Sequence, residues 1–483
     1  MNMSDSAFSP SELNISEADW EQTPASVRAV VIALYYRVQQ VDKLEKRIEE
    51  LEEQLKLNSS NSSKPPSSNE PRHKPDPPLR PKSGKQRGGQ PGHKGHHRKN
   101  VPPSGVSEFI VHHPDHCDHC GKELVGDDPD PVKWQVTELP PIKPIVIEHQ
   151  IHRLCCEACG KTTRAQLPPD VARSQFGDRL SAFVNLLMGQ YRMSKRQVKK
   201  LLAEGFNIDM SLGGIIRRQQ EMSQALEEPV KQITETVATA KVRYIDETGW
   251  RQRNQRGFMW CVLSDEATLF HLVRSRATSI ARHLLKDVDD AVVVSDRYNA
   301  YNWIANPQHQ TCWAHLLRHF KRFEMRGGES YTAGAMLIQY GEYLLHRWRR
   351  LRQGDITRRE FQRELPQHRQ DIYKWLTFGA NCDHRRTRVS CQRILQQYET
   401  LFVFTRYPNV DPTNNVCERA LRHPVIWRKL SFGNDSDDGI TYVERILSML
   451  ATCRQQDLNP YDFLQQIVHA DRRALPLPAL LSQ

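Results

Sequence analysis

The sequence predicts a multidomain α+β protein, with helical and cysteine-containing modules in its first half and one mixed α/β domain in its second. Three observations carry this. Residues 27–57 hold apolar side chains at alternating steps of three and four. Two Cys-x2-Cys pairs follow, separated by 35 residues. Finally, two β-forming runs, Val242–Ile245 and Ala291–Val294, each lead into an aspartate.

Length and charge bound the rest. The 483 residues leave room for about three domains. With 68 Lys+Arg against 57 Asp+Glu, the chain carries a formal charge of +11, which favours a polyanionic partner. No apolar run approaches the roughly 20 residues that span a bilayer. The N-terminal MNMSDSAFSPSELN lacks the basic and apolar regions of a signal peptide. Eleven cysteines, four of them at metal spacing, fit a reducing cytoplasm better than a disulfide framework.

The first element, 27–57, reads as a coiled-coil helix. Leu34, Val41, Leu44, Ile48, Leu51 and Leu55 form an a/d seam, and charged residues cover the other faces. The expected consequence is a homodimer or higher oligomer. An amphipathic helix packed on its own chain is the other reading. Residues 58–103 are a Pro-, Gly-, Ser- and Lys/Arg-rich linker with almost no apolar content. Lys85, Arg87 and Lys94 lie among its glycines, where a flexible tether could track phosphates or simply stay solvated.

Residues 104–170 form a zinc-binding module. Cys117 and Cys120, then Cys156 and Cys159, are each followed by Gly-Lys. Two residues between thiolates let one turn present both sulfurs to a tetrahedral Zn²⁺, and a complete four-thiolate shell implies a structural ion. Cys155 and the nearby His112, His113, His116 and His119 are alternative ligands. Trp134–Glu138 and Ile145–Arg153 read as strands, giving a zinc-ribbon-like module.

Residues 171–236 read as a helical, helix-turn-helix-like DNA-binding region. Ser194 and Ser211 are placed to cap helices, and Gly205 to end one. Lys195, Arg196, Lys199, Arg217 and Arg218 are its candidate DNA contacts, against plain helical packing as the alternative.

The last large region, 237–465, reads as the catalytic domain, followed by a tail at 466–483. Val242, Tyr244 and Ile245 deliver Asp246 to an expected strand end before Gly249. Gly257–Leu263 and Thr268–Val273 read as hairpin strands, Thr278–Leu285 as a helix, and the run to Ser295 as the strand that delivers Asp296. That order is the order of a ribonuclease-H-like fold, with the two aspartates on adjacent central strands. A helical insertion is expected at about 320–400. Glu418 lies in a segment of helical character. Two aspartates and a glutamate are the oxygen donors that Mg²⁺ or Mn²⁺ needs, and a pair of such ions serves phosphoryl transfer.

Glu247 faces away if Asp246 faces the site. Asp265 belongs to a hairpin turn, and Glu444 to a packing helix. His315 follows Cys312 at Cys-x-x-His spacing, either supporting a catalytic acid or phosphate or serving as a structural histidine. Arg419, Arg422, Arg428 and Lys429 are candidates to neutralise DNA phosphates, against surface charge.

These motifs together resemble a known family. The zipper, Asn58-Ser-Ser-Asn-Ser-Ser-Lys-Pro-Pro-Ser-Ser, Gly88-Gly-Gln-Pro-Gly-His-Lys-Gly, the paired knuckles, Asp246-Glu-Thr-Gly-Trp, Asp296-Arg-Tyr, Cys312-Trp-Ala-His315, Asn415-Val-Cys-Glu-Arg419 and Leu458-Asn-Pro-Tyr-Asp-Phe-Leu are similar to DDE transposases of the insertion-sequence-sixty-six type, TnpC-type large subunits. The resemblance covers nearly the whole chain. Arg297 stands where many relatives have Gly, and Trp427 likewise. The resemblance implies metal-binding acids at Asp246, Asp296 and Glu418, and cleavage and strand transfer at transposon ends. It also implies double-stranded DNA (ends and target) as partner, small accessory proteins, and a bacterial cytoplasmic, nucleoid-associated setting. A catalytically inactive DNA-binding regulator and a nuclease without strand transfer are the alternatives.

Overall fold

The computed structural model describes residues 8–55, 57, 58, 61, 99–168, 171, 174–253 and 255–481. The expectations for Lys85, Arg87 and Lys94 lie outside the described residues. The chain is mixed α/β and divides into two compact units. One comprises Met1–Pro75, Leu226–Pro460 and Ala479–Gln483; the other comprises Asp76–Ala225 and Tyr461–Pro478.

The first unit begins with α1 (Glu17–Gln22) and α2 (Ala25–Leu55). Ser16 caps α1 by accepting the Asp19 amide at 3.2 Å. Phe8 packs between Trp20 and Tyr35, at ring distances of 5.2 and 4.9 Å, which folds the start of the chain back on α2. Leu34, Val41, Leu44, Ile48, Leu51 and Leu55 are each between 44 and 85% exposed, so the seam has no cover among the described residues.

In the second unit, β1 (Arg153–Cys155) and β2 (Thr162–Arg164) form a short antiparallel hairpin around the second cysteine knuckle. The longer strands expected at Trp134–Glu138 and Ile145–Arg153 are not formed; only Arg153 of them is in a strand. A strand needs a neighbour, and here the knuckle turn folds back only a three-residue partner. Trp134 is 89% exposed and lies in no regular element. The helices α3 (Asp178–Gly189), α4 (Lys195–Phe206) and α5 (Leu212–Ala225) follow. Ser194 and Gln197 form a capping box at α4, and Ser211 accepts the Gly214 amide at 3.0 Å. Gly205 does not end α4. The helix continues to Phe206 and closes at Asn207, which takes the left-handed conformation (φ 53°) and donates its amide to Leu202. Val184, Val198, Leu202, Ile215 and Met222 are buried in this bundle.

The first unit resumes with α6 (Glu227–Thr239) and the strands β3 (Val242–Gln252), β4 (Gln255–Leu263) and β5 (Thr268–Val273). After α7 (Thr278–Leu285) come β6 (Val292–Ser295) and β7 (His309–Thr311). The five-stranded sheet has the order β5-β4-β3-β6-β7; β3, β4 and β5 are antiparallel neighbours, while β6 runs parallel to β3 and β7 to β6. Asp246 is not at a strand end. Gly249 pairs with Phe258 and the ladder with β4 runs on to Gln252, because the antiparallel hairpin extends the strand past the glycine. The parallel ladder with β6 does stop, at Tyr244 and Val294.

Four helices follow: α8 (Trp313–Glu324), α9 (Gly328–Gln353), α10 (Arg358–Ala380) and α11 (Arg385–Gln396). Gly334 lets α9 approach α8 closely: a Cβ there would come within 2.7 Å of the Phe320 carbonyl oxygen. The unit is completed by α12 (Asn415–Ser431) and α13 (Asp437–Gln455). α13 covers the edge of β5. The amides of Thr268 and Phe270 donate to Thr452 Oγ1 and Ser448 Oγ at 3.1 and 2.9 Å, and that of Leu272 donates to Glu444. Side chains spaced four apart on the helix thus meet alternate amides of the strand, leaving no open edge there. This accounts for Glu444 as a packing residue.

The last helix, α14 (Pro460–Arg472), packs in the second unit. Arg472 there binds Asp178 at 2.8 Å, Glu221 at 2.6 Å and Ser181 at 2.8 Å.

Candidate active site

β3, β6, α8 and α12 carry the side chains that matter. Asp246 lies two residues beyond Tyr244, and Asp296 two residues beyond Val294, the last partners of the parallel ladder. The two acids therefore stand at one level, Asp246 within β3 and Asp296 one residue past the end of β6. Each is turned by a local bond: Asp246 accepts the Glu247 amide and Asp296 the Tyr298 amide, both at 2.9 Å.

Glu418 arrives in the first turn of α12, whose start is fastened to the sheet. Asn414, fully buried, donates its side-chain amide to the Ile245 carbonyl at 2.8 Å and its backbone amide to Cys312 Sγ at 3.1 Å. Cys417 donates to the Cys261 carbonyl at 3.4 Å. Arg318 of α8 binds Glu418 at 2.9 Å, and His315 Nδ1 stands 3.5 Å from the same oxygen.

The charges of this cluster act on one another. Burial, then Asp296 and Glu247, and more weakly Glu418, push the Asp246 carboxyl well above the usual range. Burial and Glu247 raise Asp296 to about 6, opposed by the Tyr298 amide, Arg276 and Arg297. Buried carboxylates that repel one another in this way are the oxygen donors a hard divalent cation prefers, although among the described residues Asp246, Asp296 and Glu418 do not bring three ligand atoms within 4.8 Å of one another. His315 is lowered to about 4, by burial and by Arg318, so it is neutral near pH 7.

Glu247 has no exposed side-chain surface, is bound by Arg276 and Tyr301, and lies near enough to both aspartates to raise them. Arg276 also stacks 3.7 Å over the Tyr298 ring. This ion pair, buried on the Glu247 side and half-exposed on the Arg276 side, backs the loop after β6.

Among the described residues, Cys312, His315 and Glu418 bring three possible ligand atoms within 4.8 Å of one another. Burial raises the Cys312 thiol to about 12, and its sulfur already accepts the Asn414 amide. Its part in the fold is to tie α8 to α12. The four knuckle cysteines do not form a group of this kind, but each pair is shaped alike. The Cys117 and Cys156 carbonyls accept the Gly121 and Gly160 amides at 2.8 Å, with φ at 72° and 65°. Backbone amides, led by His119 in one knuckle and Cys159 in the other, lower the Cys117 and Cys156 thiols.

The basic candidates separate. Arg196, Lys199, Arg217, Arg419, Arg422 and Lys429 are exposed, and Lys195 is half-buried. Arg218 is bound to Glu221 at 2.7 Å, and Arg428 to the Gly249 carbonyl, so both hold structure together. Sequence reasoning missed Arg318, Arg276 and Asn414, and also an arginine-rich cleft beside Asp296. The signal for part of these was present in α8: His315, Arg318, His319 and Arg322 recur at helical spacing opposite the buried Trp313, Leu316, Phe320 and Phe323.

The family described as "Transposase IS66 family" matches residues 173–442, more than half of the chain. A family of unknown function matches residues 9–99. An uncharacterized protein, y4qI, of Sinorhizobium fredii (strain NBRC 101917 / NGR234) is 27% identical over 210 residues. That match covers 39% of this chain and 37% of the relative, so the chain spans well under half of that protein's length.

Proposed function

The chain belongs to the IS66 family of transposases, and from that premise we propose that it cuts and joins DNA at transposon ends through Asp246, Asp296 and Glu418. The observation that carries this reading is the placement of the three acids: two at one level on adjacent strands, the third on a helix anchored to the carbonyl beside the first. The sheet order and the helix after β5 support a ribonuclease-H-like domain, with α8–α11 as its helical insertion.

In this reading the three carboxylates hold Mg²⁺ or Mn²⁺, whose chemistry there is activation of an attacking oxygen and stabilisation of a leaving one. Asp246 within β3 and Asp296 one residue past β6 would give such an ion a rigid pair of ligands. Arg318 holds Glu418 in place, and neutral His315 stands beside the same oxygen without a hydrogen bond to it. Exposed Arg419 and Arg422, on the same helix as Glu418, add phosphate contacts. The knuckles fit a structural Zn²⁺, since each Cys-x2-Cys turn is closed alike on a glycine of positive φ, with one thiol of each pair lowered by backbone amides. The exposed α2 seam fits self-association, and α3–α5 with Arg196, Lys199 and Arg217 fit duplex binding.

The test is a cleavage and joining assay with purified protein, a labelled duplex carrying the inverted repeat that flanks the gene, and Mg²⁺ or Mn²⁺. Metal-dependent nicking at the repeat end, lost in Asp296→Ala, is the expected result, and joined products mark strand transfer. Equal nicking by both proteins would remove Asp296 from the site. Binding without nicking by either favours a regulator.

A further inference from the structure

A cleft of about 670 Å³ opens beside Asp296 and is lined largely by arginine. Arg297 follows Asp296; Arg322 and Arg326 come from α8 and its end; Arg385, Arg386 and Arg393 come from α11. Among the described residues, Asp296 is the one carboxylate in the lining. We propose that this cleft grips the phosphates of a single DNA strand leading away from Asp296, which makes α11 a strand guide rather than a spacer. The proposal rests on the reading of Asp246, Asp296 and Glu418 as the reacting site.

Four observations carry it. First, among the described residues no carboxylate lies within 4.0 Å of Arg297, Arg385 or Arg393, and the buried Arg297 Nε has no hydrogen-bond partner. Cations gathered this closely repel one another, and a bound polyanion would offset that cost. Second, Arg385, Arg386, Val389, Ser390 and Arg393 all line the cleft, so one face of α11 looks into it. Arg385 to Arg393 spans about 12 Å of helix, roughly three steps of a stacked strand. Third, the volume falls in the range of about 300–1,000 Å³ that suits small ligands, enough for a few nucleotides and too small for a duplex. Fourth, Tyr298 and His319 also line it, and Arg276, 3.7 Å over the Tyr298 ring, adds a further guanidinium to the wall beside Asp296.

The source of the phosphates is open to direct measurement. Anisotropy of a fluorescein-labelled short oligothymidine, in chelator and across a salt series, would be compared for the full chain, Arg385→Glu/Arg393→Glu, and a control reversal on exposed helix surface, Arg349→Glu/Arg363→Glu. Arg385 and Arg393 are exposed, so their exchange leaves the core intact. The cleft variant is expected to bind about tenfold or more weakly, with a salt slope reduced by about 0.7 for each phosphate no longer held. The control should change by less than about twofold. Equal weakening in both variants would reduce the effect to net charge and overturn the proposal. So would competition by inorganic phosphate as strong, per phosphate, as by unlabelled oligothymidine, which would mark an anion pocket. Nicking of the repeat-end duplex, run in parallel, separates the two readings. Weakened binding in the cleft variant with no metal-dependent nicking by the wild type keeps the cleft and removes the chemistry. Wild-type nicking with unchanged binding in the cleft variant does the reverse.

Discussion

Asp246 and Asp296 stand on neighbouring parallel strands, each two residues past the last paired residues, Tyr244 and Val294. The pairing brings them together where the ladder between them has ended, so their side chains face a space without strand hydrogen bonds to fill it. Burial and the neighbouring acids then work against their ionisation.

That repulsion has a sign. Asp296, raised to about 6, keeps its proton in the folded state where an unfolded aspartate, near 3.9, has lost it. Metal-free stability owed to this group therefore falls as pH rises from about 3.9 to about 6, and the penalty persists above. Asp296→Asn has no proton to lose. Its advantage over wild type in chelator should grow between pH 4 and 7, towards an upper bound of about 3 kcal/mol. Urea melts at several pH values check this; an advantage independent of pH would dispose of it.

The buried histidines act in the opposite direction. Burial holds His309 and His315 at about 4 and His319 at about 3, below the unfolded value near 6.5. Their contribution is complete above about 6.5 and is lost as pH falls towards the folded values. The imidazole resonances of these three residues, assigned by substitution, should not titrate between pH 8 and 5. A midpoint near 6.5 for His309, which bonds Ser295 at 2.8 Å, would contradict its buried, neutral state.

Asn414 should matter out of proportion to its size. Asn414→Ala leaves the buried Ile245 carbonyl without its donor, at about 1–3 kcal/mol, and frees the start of α12. Both thermal stability and stabilisation by Mn²⁺ should fall. Glu418→Gln, which keeps the helix anchored, should lose the Mn²⁺ effect while melting near wild type without metal. If Asn414→Ala kept the full Mn²⁺ shift, the anchoring role would be wrong.

The sequence made the strands legible because β-branched runs of buried residues, such as Val292–Val294, have few other uses. It also exposed the helix α2 and the caps at Ser194 and Ser211. It misread Gly249 as a stop, since a glycine inside a strand is tolerated when an antiparallel neighbour pairs through it. Arg318 and Arg276 stayed hidden for another reason: each meets its carboxylate from a different element, across 100 and 29 residues. Local periodicity carries no record of such partners. Likewise, the apolar residues near Trp134 suggested strands, but nothing in their own pattern reveals whether a partner folds back.

The α2 seam yields a prediction about assembly. A helix of 31 residues with six seam positions at 44–85% exposure buries little of that apolar surface alone. Pairing with a second copy would remove it from water, at about 25 cal/mol per Å². Leu44→Lys/Leu51→Lys places charges in the seam and should shift the full chain to monomer in light scattering, without altering the melting of the sheet-containing unit. A wild-type chain that is monomeric at high concentration would show that the seam serves another contact.

The cysteine knuckles are testable without any reaction. Each has its turn closed by a glycine with positive φ, and each has a thiol lowered by backbone amides. If the two pairs share one Zn²⁺, Cys117→Ser and Cys156→Ser should each abolish the bound metal, since three thiolates hold it far less tightly than four. Cys155→Ser should leave it in place, because Cys155 Sγ donates to the Gly160 carbonyl at 3.5 Å. Elemental analysis of dialysed protein reads the stoichiometry, and release of thiols to a colorimetric reagent reads the ligands. One zinc per chain, absent from the first two variants and kept in the third, is the expected pattern. Loss of zinc in Cys155→Ser alone would move the ligand by one residue and break the symmetry between the knuckles.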